Sequence, residues 1–68
     1  MPAVVSKYLA ALEWKDGEGL IAQFKNGRVA QFRDVPEEVY TSVIGSASVG
    51  SAFDQLVKKG GYAFTYIA

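Results

Sequence analysis

From Lys7 to Trp14 the chain alternates, with Tyr8, Ala10, Leu12 and Trp14 on one side and Lys7, Leu9, Ala11 and Glu13 on the other. A period of two predicts a strand, because successive side chains leave a pleated backbone on opposite faces. Lys15-Asp16-Gly17-Glu18-Gly19 is a polar, glycine-bearing connection of the length that joins antiparallel neighbours. A second strand follows from Leu20 to Lys25. Asn26-Gly27 then predicts a two-residue type I′ turn, whose central residues both need positive φ, and a third strand from Arg28 to Val35 folds back beside the second. That turn fixes a register: Lys25 opposite Arg28, Phe24 opposite Val29, Ala22 opposite Gln31, Leu20 opposite Arg33. Two faces result. Tyr8, Ala10, Leu12, Trp14, Leu20, Ala22, Phe24 and Val29 form the expected core face. Leu9, Ala11, Glu13, Ile21, Gln23, Lys25, Arg28, Ala30 and Phe32 form the other, which is more apolar than a solvated sheet face should be.

After Val35 the period changes. Pro36 suits a first helical turn, with Asp34 just upstream and Glu37-Glu38 placing negative charge where the helix dipole favours it. Val39, Tyr40, Val43 and Ile44 recur at helical spacing as a buried stripe, and Gly45 ends the helix. A small-residue joint, Ser46 to Ser51, leads to a second short helix carrying Phe53, Leu56 and Val57, with Lys58-Lys59 in its last turn and Gly60-Gly61 as the stop. Tyr62 to Ala68 alternates again and predicts a last strand. Its Tyr62, Phe64 and Tyr66 are too many rings for one buried edge, so at least one belongs at a surface or an interface. The expected fold is α+β: a small antiparallel sheet, order β-β-β-α-α-β, with the helices packed on one face of a single domain spanning residues 1–68.

Size and composition narrow the function. A chain of 68 residues buries only ~60% of its unfolded surface, and without cysteine or histidine neither a disulfide nor a common zinc site can add stability. Half the residues are apolar. A homo-oligomer is therefore expected, formed through Leu9, Ile21, Ala30 and Phe32 on the second sheet face. The common nucleophile–base pairs are also missing, so no catalytic residue, metal or cofactor is expected and the chain reads as a non-enzyme. Seven basic and seven acidic residues cancel. With no long-range field to gather long polyanions, a short nucleotide, a short single strand or a host protein is the favoured partner. No apolar stretch reaches the ~20 residues of a membrane span, and no signal-peptide pattern opens the chain, so a cytoplasmic location is expected.

Two groups of residues could carry binding. Lys25, Arg28 and Gln23 share a sheet face with Phe32, and an aromatic ring among basic and amide neighbours can hold splayed bases. The same face could equally be a subunit interface with the cations at its rim. Ser48, Gly50 and Ser51 precede the second helix, where backbone N–H groups could meet a phosphate, with Arg28 or Lys58 as countercharge. The alternative there is a helix cap and a tight turn, with Lys58 complementing the helix dipole.

The order of elements, with the run Phe24-Lys25-Asn26-Gly27-Arg28-Val29-Ala30-Gln31-Phe32-Arg33-Asp34-Val35-Pro36, resembles the KTSC family. These are short domains found at the carboxyl terminus of some lysyl-tRNA synthetases and alone in bacterial and phage proteins. The resemblance covers about residues 9–67 and implies a role in RNA binding. Family members pair a tyrosine-any-tyrosine strand with a later serine, basic residue, glycine and aromatic. Here those positions hold Ala30 and Phe32, then Ser48-Val49-Gly50 and Phe53, so one ring and one positive charge are missing from the pattern. The expected function is a small binding module for a nucleic acid or a nucleotide-type anionic ligand. The alternative is a small oligomeric, phage-encoded protein that sequesters a nucleotide immune signal or inhibits a host protein.

Overall fold

A computed structural model describes residues 3–68. Three strands, β1 (Leu9–Lys15), β2 (Gly19–Phe24) and β3 (Val29–Phe32), precede helix α1 (Glu37–Ile44) and helix α2 (Val49–Phe53). α2 runs directly into a π-helical segment, Asp54–Lys58, and the short strand β4 (Phe64–Tyr66) follows. The sheet is antiparallel throughout, in the order β1-β2-β3-β4. This is the α+β arrangement the sequence predicts. Among the described residues no helix is long and apolar enough to cross a membrane.

The β2–β3 connection departs from the expected turn. It is a three-residue loop: Gly27 N–H donates to the Phe24 carbonyl at 3.0 Å, and Phe24 N–H donates to the Arg28 carbonyl at 2.8 Å. Gly27 alone in the loop takes positive φ, at 90°, while the Asn26 side-chain oxygen accepts from Arg28 N–H. A turn followed by one left-handed glycine is the usual three-residue hairpin, and it adds one residue to the loop. The register therefore slips by one, to Leu20 opposite Phe32, Ala22 opposite Ala30 and Gln23 opposite Val29. Such a slip exchanges the faces of a whole strand. Ala30 and Phe32 turn inward, and Val29 and Gln31 turn outward.

A β-bulge does the same to the start of β1. Leu9 pairs with Phe24 and Ala11 with Gln23, which leaves Ala10 as the extra residue and brings Leu9 onto the face of Leu12. The expected interface is thereby dismantled. Leu9, Ala30 and Phe32 lie in the helix-covered core at 0%, 1% and 3% exposure. Ile21, also buried, stands on the opposite face, so the four never form one surface.

Phe53, from α2, sits at the centre of the core and meets the rings of Tyr8, Phe24 and Phe32 edge-on. Val43 and Val57 are fully buried beside it. Two residues of the expected helical stripes, Ile44 and Leu56, are exposed instead. Leu56 leaves the core because residues 54–58 turn more widely than an α-helix: Lys59 N–H donates to the Asp54 carbonyl, five residues back. Pro36 caps α1 with extended backbone, Glu37 and Glu38 occupy the first turn as expected, and Gly45 closes it. Trp14 ties β1 to the turn before α1 by donating its indole N–H to the Val35 carbonyl at 2.7 Å.

Candidate ligand-binding cleft

The helices pack over the β1–β2 side of the sheet and leave β4 exposed along its length. Beside it, between the β2–β3 loop, the end of the π-helical segment and strands β3 and β4, lies a cleft of about 490 Å³. Rings form its walls. Tyr8 stacks on Phe24 at 6.3 Å between centroids, Phe32 stacks on Phe64 at 5.1 Å, and Tyr66 meets Phe64 edge-on at 5.6 Å. Tyr62 lines the cleft from the segment that enters β4.

Cations stand among these rings. Lys7, Lys25, Arg28 and Lys58 all line the cleft, and no carboxylate does. The Arg28 guanidinium carbon lies 3.9 Å from the Tyr66 ring centroid, a cation–π contact. The Lys58 ammonium is 5.8 Å from the Tyr8 ring centroid. A chain neutral as a whole thus gathers four of its seven basic residues at one concavity. Inside such a low-dielectric wall their field is focused on an entering anion.

Tyr8 marks the border between cleft and core. Its hydroxyl donates to the Gly50 carbonyl at 2.8 Å. Burial pushes the phenol above its ordinary value, and the nearby charge of Asp54 pushes in the same direction. Tyr8 is therefore a neutral hydrogen-bond donor at physiological pH.

Of the residues singled out from sequence, Lys25, Arg28, Phe32 and Lys58 meet in this cleft. Phe32 does so from the core face, not from the opposite face where the two-residue turn would have put it. Ser48, Gly50 and Ser51 are set apart in a neighbouring, more open depression shared with Ser6, Lys7, Tyr8 and Lys25. Gly50 is explained there by packing: a side-chain carbon on it would stand 2.9 Å from the Ser6 hydroxyl oxygen and 3.4 Å from the Tyr8 ring. A larger residue at position 50 would press on the Ser6 side chain and the Tyr8 ring.

Lys7, Tyr8, Phe24, Tyr62, Phe64 and Tyr66 were not assigned to a site from sequence. The surplus of rings in the last strand was the one available signal. Ala30 lies on the cleft floor, where a larger ring would fill space, and Val49 is half-buried against the core.

The fold and the cleft define a small α+β module with an aromatic, cationic cavity beside an uncovered edge strand. The sequence model of the KTSC domain matches residues 6–62, which is most of the chain, and the protein belongs to the KTSC family. No curated protein matches it.

Proposed function

We propose that the protein is a non-catalytic binding module that holds a nucleotide-type anion, either a single nucleotide or a short single strand, in the cleft beside β4. The supporting observation is the segregation of charge: four cations and no carboxylate share one cavity with six aromatic rings in a chain of zero net charge. Rings offer sequence-tolerant stacking surfaces for bases, and lysine and arginine at the rim meet the phosphates. The volume falls within the roughly 300–1,000 Å³ of ligand sites. A duplex does not suit so small a concavity, because its bases are already stacked on one another.

Calorimetric titration with nucleoside monophosphates, a single-stranded ribotetranucleotide and an RNA duplex tests this reading. The single strand should bind most tightly, with a slope of log affinity on log salt no steeper than about −2 for the phosphates that join four nucleosides. Arg28→Glu should abolish binding, and Lys15→Ala, outside the cleft, should leave it unchanged. Duplex affinity equal to that of the single strand, or no binding to any of these, refutes the proposal.

A further inference from the structure

The open edge of the sheet carries a second consequence. Ile67 N–H donates to the Val29 carbonyl, and Arg33 N–H donates to the Ala63 carbonyl, so the odd-numbered residues around β4 point their main-chain groups at β3. By the alternation of an antiparallel ladder, the N–H and C=O groups of Phe64 and Tyr66 point outward. Natural sheets usually blunt such an edge with charge, proline or a bulge. This one has none of these: from Gly60 to Ala68 there is no charged residue and no proline. Phe64, Tyr66 and Ile67 are moreover among the few large apolar side chains left exposed, at 52%, 48% and 53%.

We infer that a second copy of this chain docks on the β4 edge, in antiparallel register about a two-fold axis at Thr65, to give one continuous sheet. The register is self-complementary. Phe64 exchanges both main-chain hydrogen bonds with the partner's Tyr66, and Tyr66 does the same with the partner's Phe64. Both rings face the cleft side of the sheet, since they pair with Phe32 and Ala30. The partner's Tyr66 then stands beside Phe64 and extends the aromatic wall of the cleft past the edge, a role in ligand binding that rests on the function proposed above. Charge permits this pairing. The chain is neutral, and because residues 60–68 carry no charged side chain, the pairing sets no like charges opposite one another along the two β4 strands. A charged partner would gain nothing from an uncharged edge.

Thr65 provides the test because it lies on the opposite face, away from the cleft, and meets the partner's Thr65 directly across the axis. Like charges opposite one another destabilise a strand pair. Sedimentation equilibrium without ligand should give the mass of two chains for the wild type, and of one chain for Thr65→Asp and for Thr65→Lys. An equimolar mixture of the two variants should regain the mass of two chains. A wild type that stays monomeric up to millimolar concentration overturns the inference, as does a Thr65→Asp variant that remains dimeric or a mixture that remains monomeric. Titrating the same samples with the ribotetranucleotide separates the two readings. A dimer that binds no nucleotide counts against the ligand and not the seam, and a Thr65→Asp monomer that binds as tightly as the wild type overturns the shared cleft.

Discussion

One face of one sheet has two fates in this molecule. Over β1 and β2 it is sealed: Leu9, Leu12, Leu20 and Ala22 are at 0% exposure beneath Val43, Phe53 and Val57. Past the buried Ala30 and Phe32 of β3, the same face ends on β4 in Phe64 and Tyr66, both about half exposed, with Arg28 lying on Tyr66 in reach of water. The sequence is apolar in both halves. What differs is the cover, because α1 and α2 are short: Phe53 of α2 reaches as far as Phe32 in β3, and β4 lies beyond it. A small domain that cannot roof its whole sheet leaves rings in the open, and rings held rigidly beside cations are a binding surface. Stability and function are thus divided between neighbouring parts of one layer.

The largest test of that division is Phe53→Ala. Removing the ring at the centre of the sealed half should cost about 3–5 kcal/mol, comparable to the whole stability expected of a domain this size. Urea titration followed by circular dichroism should find the variant largely unfolded in buffer. A loss below ~1 kcal/mol would mean that the sealed half is not what holds the chain together.

Phe64→Ala probes the open half. A half-exposed ring should contribute no more than about 1 kcal/mol to folding, yet its loss should weaken ribotetranucleotide binding by about 1–3 kcal/mol. Calorimetry and urea titration on the same sample measure both. An equal loss in the two measurements would dissolve the distinction between the halves.

Tyr8→Phe acts at the border and should have the smallest effect, about 1 kcal/mol for the hydrogen bond to Gly50. It also has a pH signature. Because the folded phenol titrates above the unfolded one, its contribution is fully present below the ordinary tyrosine range and is lost as pH rises through the folded value. Urea midpoints should therefore decline in alkali for the wild type, and less steeply for Tyr8→Phe. Parallel declines would remove Tyr8 as their source.

The elements and their order were legible because each obeys a period or a stop that local chemistry enforces: alternation in β1 and β2, Pro36 and Gly45 around α1, Gly60-Gly61 before the last strand. The faces were not. Asn26-Gly27 satisfies both a two-residue and a three-residue hairpin, and only the conformation of Asn26, which avoids positive φ, separates them. Ala10 likewise continues a perfect alternation on paper while being extruded as a bulge. Each choice moves every side chain on one stretch of strand across the sheet, so Leu9, Ala30 and Phe32 changed from a supposed interface to core. The cations of the cleft survived the slip. Lys25 opens the hairpin loop and Arg28 follows it, so either register leaves them at the same end of the sheet, whereas Tyr8 and Lys7 join them only through tertiary packing that no local pattern encodes.

The bond from Trp14 to the Val35 carbonyl gives the protein separate optical channels for its two halves. Trp14 is the chain's one tryptophan, and it pairs with Leu20 at the end of the β1–β2 hairpin opposite Phe24. Its indole emission follows the closure of β1 against the turn before α1, and so tracks folding. Three of the four tyrosines, Tyr8, Tyr62 and Tyr66, line the cleft, and Trp14 does not. Ligand entry should alter tyrosine absorption while tryptophan emission stays still, and denaturant should move tryptophan emission as the fold opens. The unlabelled protein can therefore signal whether a sample is folded and whether it is occupied, in the same cuvette.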